Sequence, residues 1–228
     1  APKMSISNWP EMRSYTNIPK RGQVSDSIAI DLIHGYYATV SYSDALVGKI
    51  LDALKEQGLD KNTIVVLVAD HGYNLQEHTQ WAKFTNYNTS TQVPLIIYNP
   101  LANATGSTDA LTALVDVYPT LAEICALKPP TGQLDGTSLV AVMSNPKSEG
   151  KKHVFIKRGK GFTLKTKDFS YTEFIRPTDN TTVASMLYDH RSNKDENVNV
   201  VNQKEFADVV LELKTTLHTD FKKNIVGE

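Results

Sequence analysis

The stretch Thr63-Ile-Val-Val-Leu-Val-Ala-Asp-His-Gly72 decides the fold class of this 228-residue chain. Its apolar, β-branched residues show little alternation, which predicts a central strand buried on both faces. The strand ends in Asp70 and His71, two side chains that can carry chemistry. Polar residues directly after a strand lie at the edge where open α/β sheets place their sites. The stretch therefore predicts an α/β fold with a candidate site at this strand end.

The segments on either side of the stretch support the same fold class. Residues 27–58 carry one apolar stripe at helical spacing, and Gly58 stands where a helix stop belongs. Residues 93–98 read as a second buried strand, and a helix is predicted over 110–126. Helix, strand, polar loop, strand and helix in this order are typical of α/β domains. Residues 1–25, which contain three prolines, are predicted to be an irregular loop along the surface.

The character of the sequence changes after Pro129 and Pro130. Short apolar runs predict strands, and an amphipathic pattern predicts a helix near the end of the chain. We therefore predict two domains, an α/β part over 1–150 and a smaller α+β lobe over 151–228. The predicted elements of the smaller lobe are strands at 153–157, 162–165 and 170–174 and a helix at 203–219.

Composition excludes several classes of protein. The chain has 24 basic and 25 acidic residues and a formal net charge of -1, so it lacks the positive charge of a general nucleic-acid binder. Its single cysteine, Cys125, allows no internal disulfide and is predicted to be a buried thiol on a helix. No apolar run reaches the length of a transmembrane helix.

The residues after the first strand suggest chemistry on an anion. A carboxylate beside an imidazole, as in Asp70 and His71, forms either a metal pair or an acid–base pair. Lys83 brings a positive charge to the same region and suits an oxyanion such as sulfate or phosphate. Taken alone, however, an Asp-His-Gly tripeptide is more often turn chemistry, and Trp81 more often packs in a core.

The context adds a resemblance to a known family. Residues 70–84 resemble the corresponding stretch of sulfatases of the alkaline phosphatase superfamily, most closely the iduronate-2-sulfatase-like branch. The resemblance implies the C-terminal half of such an enzyme, with a three-layer α/β/α alkaline-phosphatase-like sheet portion and a smaller α+β lobe. It implies a sulfuric ester hydrolase acting on a sulfated saccharide or another sulfate ester. Further matching stretches lie at 35–44, 91–98, 114–121, 134–139 and 187–197.

The resemblance also implies a role for each site residue. Asp70 and His71 take the positions of ligands to a divalent cation, which is normally calcium in this family, and His71 is also counted among the catalytic residues. Lys83 takes the position of the residue that contacts the sulfate and assists catalysis. Tyr73 stands where the iduronate branch has a bulky aromatic residue near the sugar, so it is expected to bind substrate. His78 and Trp81 are expected to shape the loop.

One departure from the family pattern is large. The sequence contains no Cys-x-Pro-x-Arg or Ser-x-Pro-x-Arg motif, whose first residue becomes the formylglycine nucleophile in sulfatases. The resemblance therefore implies a partner, the missing N-terminal half that bears formylglycine, and the 228 residues alone are expected to be inactive. Two alternatives stay open: a metal-dependent phosphatase or phosphodiesterase of the same superfamily, and a non-catalytic binding lobe. The compartment is undecided, although the family favours a secreted, periplasmic or lysosomal location.

Overall fold

The structure is a computed structural model that describes residues 1–102, 105–130 and 132–221. The chain divides into two compact units, one of residues 6–102 and the other of residues 1–5 with 103–228. This division lies at a different place from the boundary at residue 150, which stays a prediction about the domains. Both units combine helices with strands, so the α/β class predicted from the sequence is confirmed.

The unit of residues 6–102 is built around one long helix. Ser25 begins it, because its hydroxyl accepts a hydrogen bond from the Ile28 amide at 3.4 Å. Gly58 ends it as predicted, in the left-handed region with φ +69° and with its amide donating to the Lys55 carbonyl at 3.0 Å. Although this helix has 31 residues, no helix in the described parts of the chain is apolar enough to cross a membrane. The elements of the unit are α1 (Asp26–Glu56), β1 (Val65–Val68), β2 (Asn74–Leu75), β3 (Trp81–Ala82), α2 (Asn88–Thr91) and β4 (Leu95–Tyr98).

The two apolar strands form an antiparallel pair that is less buried than the sequence predicts. β1 pairs with β4 in a register that joins Val65 to Tyr98 and Val68 to Leu95. Val68 is 45% exposed and Ile96 is 59% exposed, so the prediction of a strand buried on both faces is wrong for the described residues. The reason is that burial comes from neighbouring elements, and β4 is the one strand that pairs with β1 in the described structure.

The N-terminal segment supplies much of the core of this unit. It has no regular helix or strand beyond two short 3₁₀ turns, as predicted. Most of its residues are exposed, so the predicted loop along the surface is confirmed, and a few apolar side chains anchor it in the core. Single apolar residues can anchor an irregular segment without any repeating pattern, so periodicity does not reveal them. The buried side chains of this core are Trp9, Met12, Ile18, Val24, Ala29 and Trp81.

In the second unit, a short helix follows a buried aspartate. α3 (Val117–Ile124) begins seven residues later than predicted and is followed by α4 (Val140–Ser144). The carboxylate of Asp116 is fully buried, accepts hydrogen bonds from the amides of Ala113 and Thr137 at 2.9 and 2.8 Å, and pairs with Lys151 at 3.0 Å. Cys125 is exposed, so the prediction of a buried thiol is wrong, because α3 ends one residue before it.

The rest of this unit is an antiparallel sheet packed against the C-terminal helix. The strands β5 to β8 pair in sequence order, and three of them match the predicted strands. The sequence did not predict β8, because its first half has small and polar side chains. The predicted tail helix is confirmed as α5 with short turns on either side, and Leu213 and Leu217 are buried against the sheet. The elements are β5 (Val154–Arg158), β6 (Gly161–Lys165), β7 (Phe169–Ile175), β8 (Thr182–Asp189) and α5 (Ala207–Thr216).

Candidate active site

Asp70 and His71 lie just beyond the end of β1 and contact each other. The Asp70 side chain is 88% exposed, and its Oδ1 accepts a hydrogen bond from the His71 amide at 3.0 Å. Its Oδ2 lies 3.5 Å from His71 Nε2. The other ring nitrogen, Nδ1, lies 2.9 Å from the carbonyl oxygen of Gly72. The pair therefore presents a carboxylate oxygen and an imidazole nitrogen side by side.

A carboxylate oxygen and an imidazole nitrogen are donor types that proteins use to bind divalent cations. A carbonyl oxygen can only accept a hydrogen bond, so the contact with Gly72 places the proton of a neutral imidazole on Nδ1. In that tautomer Nε2 carries the lone pair. Metal-binding histidines commonly donate their second ring N–H to a carbonyl or carboxylate in this way. The described residues hold no group of three or more His, Cys, Asp or Glu side chains suited to a metal, so the pair stands there as two donor side chains.

Gly72 is required by close packing against α2. Its amide donates to the Ser90 carbonyl at 2.9 Å, and a Cβ atom at this position would lie 2.1 Å from the Thr89 carbonyl oxygen. The φ angle of Gly72 is not in the left-handed region. An Asp-His-Gly tripeptide alone suggests a turn, whereas the structure shows that Gly72 is needed for close backbone contact. This contact holds the strand end in place.

A short hairpin connects Tyr73 to Lys83 along the chain. β2 and β3 pair in a register that joins Asn74 to Ala82. Tyr73 directly precedes Asn74 and Lys83 directly follows Ala82, so both residues flank the paired part of the hairpin. The hairpin is stabilised inside by the buried Asn74 side chain, which donates to the Ser90 hydroxyl at 2.8 Å.

Lys83 forms an ion pair with a residue from the N-terminal segment. Its Nζ lies 3.3 Å from Glu11 Oε2, and the two side chains are 28% and 36% exposed. Tyr73 stacks on Tyr36 of α1, with ring centroids 5.3 Å apart. Burial raises the pKa of the Tyr73 hydroxyl, and the nearby Tyr15, Glu11 and Tyr36 raise it further. Tyr73 therefore stays a neutral hydrogen-bond donor at physiological pH.

The predicted site residues thus form two groups within this unit. Asp70 and His71 make one pair, and Lys83 and Tyr73 make another group together with Glu11. No hydrogen bond or ion pair joins Lys83 to the first pair in the part of the chain that the structure describes. Of the residues expected to shape the loop, Trp81 is buried in the core and His78 stacks on Tyr87 with centroids 4.1 Å apart.

Comparison with known proteins assigns the family. The family model described as Sulfatase matches residues 7–125, which is more than half of the chain. The model described as N-sulphoglucosamine sulphohydrolase, C-terminal, matches residues 76–223. The chain belongs to the sulfatase family.

Individual sulfatases and a solved structure agree with this assignment. A sulfatase of Formosa agariphila is 32% identical over 189 residues, which cover 82% of this chain and 36% of that protein. The iduronate 2-sulfatase of Mus musculus is 29% identical over 160 residues, which cover 57% of this chain and 29% of that protein. A structure solved in complex with its substrate D-glucosamine-2-N,6-O-disulfate superposes with a TM-score of 0.74 at 27% identity, over 82% of this chain and 40% of that chain.

These matches confirm the resemblance to sulfatases and the alkaline-phosphatase-like α/β fold that it implied. The chain spans about a third of the length of the curated sulfatases it matches.

The sequence did not point to three residues that surround the predicted site residues. Glu11 lies in a segment without any pattern, and nothing local connects it to Lys83. Tyr36 is one of several tyrosines near the middle of α1, and its stacking on Tyr73 depends on how that helix packs. Asn74 stands directly after Tyr73, and the structure shows that its buried amide donates to the Ser90 hydroxyl, as buried polar groups generally do.

Proposed function

We propose that the complete protein is a hydrolase of sulfate esters that acts on a sulfated saccharide. The observation that carries this proposal is the donor pair at the end of β1, where Nε2 of His71 faces the carboxylate of Asp70 at 3.5 Å. The ammonium of Lys83 and the ring of Tyr73 belong to the same compact unit. A cation and an ammonium group attract the sulfate of a sulfated sugar, and an aromatic ring packs against the sugar itself.

Asp70 and His71 are proposed as ligands of a divalent cation, with calcium as the ion that the family implies. A cation bound there would supply Lewis-acid polarisation of the sulfate group. Gly72 keeps the second ring nitrogen of His71 occupied as a donor, which holds the imidazole in the orientation that a ligand needs. The remaining ligands and the formylglycine nucleophile are proposed to come from the N-terminal part of the complete protein.

Lys83 is proposed to bind the sulfate and to assist its cleavage. Negative charge moves towards the bridging oxygen as the S–O bond breaks, so a fixed ammonium stabilises the transition state more than the ground state. The buried residues Trp81 and Ala82 directly before Lys83 limit its movement. An ammonium that is already fixed stabilises this charge without reorganising during the reaction.

Tyr73 is proposed to form a wall against the sugar. Its ring stacks on Tyr36, and its hydroxyl remains protonated because burial raises its pKa. Aromatic rings bury the apolar faces of ligands while a hydroxyl offers a hydrogen bond. The bound D-glucosamine-2-N,6-O-disulfate of the structural relative supports a sulfated amino sugar as the class of substrate.

The test is steady-state kinetics on the complete protein with an aryl sulfate and the matching aryl phosphate. We expect sulfate release to exceed phosphate release, and Lys83→Ala to lower kcat/KM for the sulfate by roughly 10²-fold, as for the loss of one oxyanion donor. Asp70→Ala should be partly rescued by added calcium, whereas Lys83→Ala should not. Lys61→Ala, at an exposed lysine in a 3₁₀ turn, is the matched control.

Two outcomes would contradict the proposal. Faster release of phosphate than of sulfate would favour the metal-dependent phosphatase of the same superfamily. Near-normal kcat/KM in Lys83→Ala would show that this lysine is a surface residue. The 228 residues alone are expected to release no sulfate, because their sequence holds no motif for the formylglycine nucleophile.

A further inference from the structure

Glu11 is an unexpected neighbour for a lysine that is proposed to hold an anion. Its carboxylate lies 3.3 Å from the Lys83 ammonium and is about one-third exposed. A carboxylate at this place repels an incoming sulfate. It therefore lowers the affinity of a site that only has to bind an anion. The contact therefore needs a physical reason other than anion binding alone.

Residues next to both partners of this ion pair are buried in the core, although the pair itself is partly exposed. Met12, the residue after Glu11, is 1% exposed and packs in the same cluster as Trp81, two residues before Lys83. A hydrogen bond of 2.7 Å from the Ser7 amide to the buried Gln80 side chain ties the same two segments together. Both partners thus project from anchored backbone, unlike the long mobile side chains of an ordinary surface pair.

The groups near Glu11 are those that proteins use to bind sugars. Tyr73 and Tyr36 stack on each other, and the Tyr73 hydroxyl lies within electrostatic reach of Glu11 and Tyr15. A carboxylate accepts hydrogen bonds from sugar hydroxyl or amino groups, and the rings cover the apolar faces of the sugar. The Debye length at physiological ionic strength is about 8 Å, so a second charge on the same sugar ring would still interact with Glu11.

We propose that Glu11 determines the specificity of this site. It accepts hydrogen bonds from a sugar that presents hydroxyl or amino donors beside its sulfate, and it disfavours a sugar that carries a second anionic group there. This inference rests on the proposed binding of the sulfate by Lys83. The preferred substrate class is accordingly a singly sulfated saccharide residue without a neighbouring carboxylate or second sulfate.

The test compares two ligands that share one ring and one sulfate. N-Acetyl-D-glucosamine 6-O-sulfate carries one anionic group, and D-glucosamine-2-N,6-O-disulfate carries two. Their dissociation constants are measured by calorimetry on the complete protein, produced without conversion of its nucleophile so that neither ligand turns over. The quantity of interest is the ratio of the two dissociation constants, in which every interaction common to both ligands cancels.

The variants separate charge from structure. We expect the wild type to bind the singly sulfated sugar more tightly than the disulfated one. Glu11→Gln should reduce this preference about tenfold. The effect is no larger because solvent screens a carboxylate that is one-third exposed. Glu11→Asp keeps the charge and should keep the preference. Glu56→Gln is the matched control, because it ends α1 about 30 Å along the helix from Tyr36 and should leave the ratio unchanged. Raising the salt concentration should reduce the wild-type preference and leave that of Glu11→Gln nearly constant.

The outcomes distinguish this inference from the proposed function. An equal loss of affinity for both sugars in Glu11→Gln, with the ratio unchanged, would show that Glu11 only supports Lys83 and would overturn the inference. Failure of the wild type to bind either sugar would overturn it as well. A protein with a converted nucleophile that cleaves no sulfate ester would refute the proposed function, whereas the ratio of dissociation constants would still decide the role of Glu11.

Discussion

Replacing Gly72 with alanine is the most direct test of how the strand end is held. The added Cβ would lie 2.1 Å from the Thr89 carbonyl oxygen and 3.0 Å from its carbonyl carbon. An ordinary contact to that oxygen requires the two backbones to separate by about 1 Å, and overpacking of this kind costs roughly 1–3 kcal/mol. The same separation would stretch the 2.9 Å hydrogen bond from Gly72 to the Ser90 carbonyl beyond its normal limit, a loss of about 1 kcal/mol.

These two destabilising effects are partly offset by an effect of alanine on the unfolded state. Alanine has less conformational freedom than glycine when unfolded, which stabilises the folded protein by roughly 0.4–1 kcal/mol. We therefore expect Gly72→Ala to lower the free energy of unfolding by about 2–3 kcal/mol. Gly48→Ala is the matched control, because nothing in the described structure lies within 4 Å of its added Cβ and the residue is inside α1. It should stabilise the chain by up to about 1 kcal/mol through helix propensity.

The assay is urea denaturation followed by tryptophan fluorescence. The chain has two tryptophans, Trp9 and Trp81, and both are buried in the core of the unit that contains Gly72. The fluorescence therefore reports the unfolding of this unit. A Gly72→Ala variant as stable as the wild type would refute the close contact with Thr89. A Gly48→Ala variant less stable than the wild type would show that this glycine is not a suitable control.

Two further predictions concern the second unit. Asp116→Ala should lower the free energy of unfolding by about 3 kcal/mol or more, because it leaves two backbone amides and the Lys151 ammonium without their buried partner; thermal melting measures this, with the exposed Asp109→Ala as control. Hydrogen bonds from Arg191 lower the pKa of Asp189 below its usual value, so this pair stabilises the fold above about pH 4 and the stabilisation is lost as the pH falls through the lowered pKa. Arg191→Gln should therefore lower the free energy of unfolding slightly at pH 7, because solvent screens the half-exposed arginine, and the difference from the wild type should shrink at pH 3. A constant difference across this range would show that the pair does not titrate with folding.

Local patterns in the sequence were sufficient for several parts of this protein. The stripe of α1, its stop at Gly58 and the amphipathic tail helix follow from short-range spacing, and the structure has all three. The Asp-His-Gly motif, read with the stretches around it, indicated the sulfatase family, which the family models match. Such features depend on residues within one or two turns of each other, so a single sequence contains them.

Tertiary structure decided the features that join distant segments. Glu11 became the partner of Lys83 because Met12 and Trp81 pack in one core, and no spacing in the sequence encodes that packing. Gly72 is required by a carbonyl of α2 rather than by its own backbone angles. The physical reason is the same in both cases: hydrogen bonds, ion pairs and steric contacts act over a few ångströms, and only the folded chain brings these groups within that distance.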